Sequence, residues 1–302
     1  MAVDPKPVNR RPSSHPSIMR WALGTALLAV VFCRIAVAQP GPPRRIISVV
    51  PAVTEMLFAI GAGPQVVGVG SFDELPPEVP ELPRVGALID PDLERIISLR
   101  PDLVVLYASQ SDPREQLARA EIPVFSYVHS DLAQVMETIR TLGARTGRAA
   151  SAERLATSLE RRFEEIRERV KGRERPRTLL VMSREPLALR NIYASGGFGF
   201  IHDMLEAAGG TNVFTDIELE SVQPTTETIL ATAPDVIIEV RVSGALTAEQ
   251  VDRERQVWKT LAGVPAVRSG RVYFLTGGDL VVPGPRVAAA TDRLARLLHG
   301  QF

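Results

Sequence analysis

One seventeen-residue pattern is written twice in this chain, as PDLERIISLRPDLVVLY at 91–107 and as PTTETILATAPDVIIEV at 224–240. Five positions are identical: Pro91/Pro224, Glu94/Glu227, Ile96/Ile229, Pro101/Pro234 and Asp102/Asp235. Each copy reads as a short helix with an acid near its start, a Pro-Asp pair, and an apolar strand. Proline cannot continue a helix and pushes the residue before it out of the helical region, so both copies break at the same place for the same reason. A second echo in the same order, EMLFAIGAG at 55–63 and DMLEAAGGT at 203–211, makes two related halves the simplest reading.

The remaining pattern is that of an α/β chain. RIISVV (45–50), QVVGVG (65–70), DLVVLY (102–107) and PVFSYV (123–128) read as strands, alternating with helical segments at 54–61, 93–99, 113–120 and 132–146. The alternation restarts with strands TLLVMS (178–183), NIYASG (191–196), DVIIEVR (235–241) and RVYFLT (271–276). Between the halves, Leu155, Leu159, Phe163, Ile166 and Val170 form one apolar stripe along 151–172. A helix of that length spans about 33 Å, enough to run across both halves, and Gly172 and Pro176 stop it. The expected fold is two Rossmann-like lobes with central parallel sheets, joined by one long rigid helix. Its divisions are 1–38 as leader, 39–147 as first lobe, 148–173 as the joining helix and 174–302 as second lobe.

The leader has a basic start at Met19-Arg20, an apolar run from Trp21 to Cys33, and the small-residue ending Ala36-Val37-Ala38. That is an export signal with cleavage expected after Ala38, which places the mature protein in the periplasm. An uncleaved membrane anchor is the alternative. Beyond residue 38 the chain carries 30 basic and 34 acidic residues and no cysteine, Cys33 being the only one. No basic excess calls for nucleic acid, and stability must come from the core rather than from disulfides.

Enzyme motifs do not converge. There is no Gly-x-Ser-x-Gly elbow, no closely spaced histidine pair and no Walker loop, so an exported α/β hydrolase is the weaker alternative class. GAGPQVVG (61–68) follows a helix rather than a strand and reads as a helix stop. SGGFGF (195–200) does lie between a strand and a helix; its glycines serve either a tight turn or an anion held on backbone amides. No cofactor or resident metal is expected.

The segments RIISVVPAVTEMLFAIGAGPQVVGVGSFDELPPE (45–78), LPRVGALIDPDLERIISLRPDLVV (82–105) and SGGFGFIHDMLEAAGGTNVF (195–214) resemble the periplasmic substrate-binding proteins of ABC importers for cobalamin, ferric siderophores and haem, most closely the cobalamin-carrying branch. The resemblance covers nearly all of 44–300. It implies two lobes joined by a long helix, with a small-molecule ligand in the cleft between them and delivery to a permease dimer in the inner membrane. A monomer is expected. The resemblance also gives the repeated acids a role: Glu94 and Glu227, one per lobe, would dock into arginine pockets on the two permease halves. A first-turn acid favoured by the helix dipole is the plainer account of either residue alone.

Ligands of open α/β sheets bind beyond the carboxyl ends of the strands. Those ends give Pro51, Ala52, Phe72, Tyr107, His129, Arg190, Tyr193, Arg241 and, in the loop 277–286, Asp279 and Arg286. The aromatics suit a large, flat, partly apolar ligand. The arginines offer a second reading, an anionic ferric siderophore, and His129 with Tyr107 a third, haem. Cobalamin or a related corrinoid leads. Where the cobalamin binder carries tryptophans this chain has Leu88 and Ser221, and Trp258 reads as part of a surface helix.

Overall fold

The computed structural model describes residues 1–4, 41–241, 244 and 246–300. It divides into two units, Met1–Gly41 and Pro42–Phe302. In the first, residues 1–4 form neither helix nor strand. The export signal and its cleavage point lie outside the described residues. No helix among the described residues is long and apolar enough to cross a membrane.

The second unit begins with a four-stranded sheet, β1 (Ile46–Ser48), β2 (Val66–Val69), β3 (Leu103–Tyr107) and β4 (Val124–Tyr127), in the order β2-β1-β3-β4. All its pairings are parallel, because each pair is joined through a helix: α1 (Pro51–Ala59), α2 (Leu93–Ser98) and α3 (Ser111–Arg119). After β4 come α4 (Leu132–Thr146) and α5 (Ala149–Val170).

The second sheet contains β5 (Arg177–Ser183), β6 (Tyr193–Ser195), β8 (Ser221–Val222), β9 (Val236–Arg241) and β10 (Val272–Thr276), in the order β10-β9-β5-β6-β8, with β7 (Thr211–Asn212) beside β5. Its helices are α6 (Phe200–Ala207), α7 (Thr226–Thr232), α8 (Ala248–Trp258), α9 (Pro265–Arg268) and α10 (Val287–His299). Here the expectation of a parallel sheet needs correction. β10, β9, β5 and β7 are parallel, but β6 runs antiparallel to β5, and β8 antiparallel to β6. The connection 184–192 is too short for a crossover, so β6 returns as a hairpin.

The repeat has a structural cause. In the first copy the Asp102 carboxylate accepts from the amides of Arg44 (2.8 Å) and Arg45 (2.9 Å) at the start of β1. In the second, Asp235 accepts from the amide of Arg177, the first residue of β5, at 3.0 Å. The arginines themselves reach to the end of the preceding short helix. Arg45 donates to the carbonyls of Leu99 and Arg100, and Arg177 to that of Thr232. Each aspartate thus ties two parallel strands at their entrance, and each arginine caps helix carbonyls that would otherwise lack a partner.

The long helix runs over Ala149–Val170 and buries Leu159, Phe163, Ile166 and Val170 at helical spacing. It packs along α4 and also against α10 and α6, so it touches helices of both halves. Gly143 permits the close approach to α4, since a Cβ there would lie 2.2 Å from Ala152 Cβ. A side chain of the size of those four, fully buried, contributes about 1.5–3 kcal/mol. One continuous core extends from β1 through α5 to α10 and includes one face of the second sheet, Leu180, Val236, Ile238 and Val240. The alternate residues Leu179, Val181 and Ile237 face a smaller core with Trp258.

Trp258 ends α8, a largely exposed helix, but its side chain points inward. It is completely buried, and its indole Nε1 donates to Glu239 Oε2 at 3.0 Å. Glu239 stands inside an apolar strand, and its neighbours compensate it. Arg184 Nε meets Oε2 at 2.9 Å, and Arg241 Nη2 meets Oε1 at 2.5 Å. The same two arginines also pair with Glu254 on α8.

Candidate functional site

Four aromatic rings line up where the halves meet. Tyr107 ends β3 and Tyr127 ends β4, their centroids 5.5 Å apart and nearly perpendicular. Tyr127 is followed by His129 at 6.4 Å, and His129 by Phe200, the first residue of α6, at 5.2 Å. Phe200 belongs to the second half, so the row crosses between them. Edge-to-face packing of this kind adds about 0.5–1.5 kcal/mol per pair beyond burial. Backbone ties reinforce the crossing: Phe200 N–H donates to Ser130 O at 3.0 Å, and Leu132 N–H to Asp203 Oδ2 at 2.9 Å. Tyr127 and Phe200 are buried behind, while Tyr107 and His129 remain half-buried in front.

These surroundings shift the titrating groups. Burial raises the Tyr127 phenol, aided by Tyr107 and by the charge of Glu220. Burial lowers the His129 imidazole, and Glu220 opposes that shift. Glu220 is exposed and packs its side chain on Gly199, next to Phe200 at the end of the row; its sequence context, one residue before Ser221, gave only its charge as a signal.

Phe72 stands on the loop after β2 and is 73% exposed. Its neighbour Asp73 is almost wholly buried. The Thr54 hydroxyl approaches the Asp73 carboxylate but itself donates to Val50 O at 3.3 Å, and both Asp73 oxygens are left without a hydrogen bond. Burial pushes this carboxyl up to about 7, with Thr54 and Arg84 pulling the other way and Glu55 reinforcing it. Arg84 steadies the loop by donating to the carbonyls of Gly70 and Asp73. Gln110 bridges Tyr107 N–H to the carbonyl of Leu88, which ties the loop before Glu94 to the end of β3.

Pro51 is the first residue of α1 and half-buried, with Ala52 buried behind it. Tyr193 opens β6 and is 41% exposed. The three arginines divide. Arg190 is exposed on the β5–β6 hairpin. Arg241 is held by Glu239 and Glu254. Arg286 precedes α10 and faces Glu55. Asp279 is buried and pairs with Arg293, so its carboxylate is turned to the fold. Ring contacts join Tyr107 and His129 into one row; among the described residues no hydrogen bond or ion pair joins Asp279 or Arg190 to it.

Glu94 and Glu227 are both exposed in the first turn of their helices. Asp92 caps α2 by accepting from Arg95 N–H at 2.8 Å, and Thr225 caps α7 by accepting from Thr228 N–H at 3.2 Å. The amide of Glu227 and the hydroxyls of Thr225 and Thr226 lower the Glu227 carboxyl, which keeps it charged. Among the described residues neither acid is in an ion pair.

The turn SGGFGF resolves toward packing. The amides of Gly196, Gly197 and Phe198 donate to the carbonyls of Glu220, Ile217 and Leu219. A Cβ on Gly196 would lie 2.1 Å from Leu219 O, and one on Gly197 2.2 Å from Thr215 O. Those amides have no capacity left for an anion. Among the described residues no group of three histidine, cysteine or acidic side chains is placed to hold a metal ion.

A family model described as "Periplasmic binding protein" matches residues 46–277. The vitamin B12-binding protein of Salmonella typhimurium is 29% identical over 256 residues, covering 84% of this chain and 90% of that one. An uncharacterized ABC transporter substrate-binding lipoprotein of Bacillus subtilis is 29% identical over 265 residues, covering 85% and 80%. The crystal structure of the periplasmic vitamin B12 binding protein of Vibrio cholerae superposes with a TM-score of 0.72 at 25% identity, over 86% of this chain and 98% of that one.

Proposed function

The chain belongs to the periplasmic binding protein family, and from that premise we propose that it captures cobalamin or a related corrinoid and hands it to an ABC importer permease. The observation that carries the reading is the row Tyr107–Tyr127–His129–Phe200 where the two halves meet. Half-buried rings backed by buried ones offer a partly apolar wall, which suits a large macrocycle better than a small polar solute. Relatives named for vitamin B12 binding, similar over nine-tenths of their length, support the same ligand.

In this reading Phe72, Tyr107, His129 and Tyr193 contact the ligand, with Pro51 and Ala52 at the cleft wall. Arg190 lies at the margin, while Arg241 and Asp279 brace the cleft from behind through their internal ion pairs. Glu94 and Glu227 dock to the permease, one per lobe. The lobes are taken as 39–147 and 174–302, carried by a monomer released into the periplasm after cleavage at Ala38. The protein carries its ligand and does no chemistry on it.

The test is a thermal-shift and fluorescence screen of the purified protein against cobalamin, cobinamide, haem and several ferric siderophores. Stabilisation by a corrinoid at micromolar concentration is expected; a ligand at a hundred times its Kd adds about 2.7 kcal/mol. Stabilisation by siderophores or haem alone would overturn the choice of ligand.

A further inference from the structure

Of the three arginines expected near the cleft, Arg190 is exposed on the β5–β6 hairpin at its margin. Arg241 and Arg286 are occupied by Glu239, Glu254 and Glu55. The turn amides at 196–198 are spent on backbone carbonyls. Glu220, which is exposed, has no ion pair or side-chain hydrogen bond among the described residues, and neither has the ring of His129 a hydrogen bond among them.

Glu220 is held in place by its backbone and its stem. Its carbonyl accepts from Gly196 N–H at 3.1 Å, and a Cβ on Gly199 would lie 3.2 Å from Glu220 Cγ. Gly199 has φ of 90° and immediately precedes Phe200, whose ring lies against His129. A bare glycine at this point lets the Glu220 stem settle over the start of α6, which holds its exposed carboxylate at the end of the aromatic row where Phe200 meets His129. Residues 215–220, Thr-Asp-Ile-Glu-Leu-Glu, add two further acids and no base.

A carboxylate at the end of a row of edge-to-face rings is a constellation for positive charge. The ring faces attract cations through their quadrupole, and the carboxylate adds a direct Coulombic term. Burial keeps His129 neutral against the influence of Glu220, so the imidazole adds no opposing charge. We propose that Glu220, at the Phe200–His129 end of the row, is a specificity-determining point that favours a ligand bearing positive charge or a strong hydrogen-bond donor on its flat face, and disfavours ligands whose edges carry carboxylates or sulfonates. This rests on the corrinoid reading for the ligand's shape but makes a separate statement about its charge.

Two pairs of probes separate the statements. Aquocobalamin and cyanocobalamin share one ring and differ by one positive charge. The full chain should bind the aquo form roughly tenfold more tightly at low salt. Glu220→Gln should collapse that ratio to about one, and Glu220→Asp should restore part of it. Glu218→Gln removes the same charge two residues away and should leave the ratio unchanged. Equal affinities in the wild type, or a ratio untouched by Glu220→Gln, would overturn the proposal.

If neither corrinoid binds, the corrinoid reading fails and the charge rule is decided by a second pair. These are a tetracationic N-methylpyridinium porphyrin and a tetraanionic sulfonatophenyl porphyrin of similar size. Tighter binding of the cation, weakened by Glu220→Gln but not by Glu218→Gln, supports the rule. Equal or tighter binding of the anion overturns it.

Discussion

Glu55 on α1 and Arg286 before α10, 231 residues apart, face each other in a two-pronged ion pair, Nε to Oε2 at 2.8 Å and Nη2 to Oε1 at 2.7 Å. Glu55 is largely buried and Arg286 about one-third exposed, so the pair is neither a surface bridge nor a sealed one. It joins the two halves at a point separate from the long helix.

Removing one partner strands the other. Arg286→Ala should lower stability by about 1–2 kcal/mol, between the limits for exposed and buried pairs. The double variant Glu55→Gln/Arg286→Gln should recover part of that loss in urea melts. With α5, the aromatic row and this pair all joining the halves, small-angle scattering should give nearly the same radius of gyration with and without ligand. Marked compaction on ligand addition would count against a stiff connection.

Asp73 should make stability fall as pH rises. Its folded pKa, about 7, lies above the usual 3.8, so the folded protein holds this proton more tightly than the unfolded chain. The contribution is fully present below the unfolded pKa and is lost between about pH 4 and 7, with a ceiling of about 4 kcal/mol. Asp73→Asn should flatten that part of the stability profile. Melts of both proteins from pH 4.5 to 8 provide the check, and parallel profiles would refute the assignment.

Glu239 compensates two arginines and an indole inside the fold. Glu239→Ala should cost about 3–5 kcal/mol, because it leaves buried cationic groups with a missing partner. Intrinsic fluorescence of Trp258 should report the change at lower denaturant. Glu239→Gln, which keeps an acceptor for the indole, should cost less.

Tyr107→Ala and Tyr193→Ala should each weaken ligand binding about fivefold, the equivalent of roughly 1 kcal/mol of stacking. Tyr107 contacts Tyr127, so its variant should also lose some stability, whereas the exposed Tyr193 should not. Unchanged affinity in the double variant would place the ligand elsewhere.

Glu94→Ala and Glu227→Ala should leave ligand affinity intact and weaken capture by permease-containing proteoliposomes, with the double variant worse than either single one. The loss should shrink at high salt, as expected for exposed charges that speed encounter. Variants that lose ligand but still dock would reverse the assignment.

The strands were legible because apolar runs bounded by Pro, Gly and Asp punctuate the chain, and all eight expected strands are present. The two-residue strands β7 and β8 were not, since Thr-Asn and Ser-Val carry no periodicity. The placement of Trp258 depended on Glu239, an acid inside the run DVIIEVR, which was itself the available signal of a buried network. Asp73 sits in a polar loop whose composition reads as solvent-facing, and only the packing of α1 and β3 around it buries it. Glu220 is exposed as its context suggests, and what the sequence hides is its contact with the start of α6. Likewise nothing local in His129 or Phe200 announces that their rings meet across the halves.

The α5 helix has a consequence for traffic at the membrane. Its 22 residues fix a span of about 33 Å, which makes it a caliper. If Glu94 and Glu227 dock as proposed, a carrier built on a caliper would offer the same two acids at the same spacing whether empty or full. Empty molecules would then compete with loaded ones for each permease. Transport should therefore saturate, and then decline, as this protein is overproduced at a fixed supply of ligand.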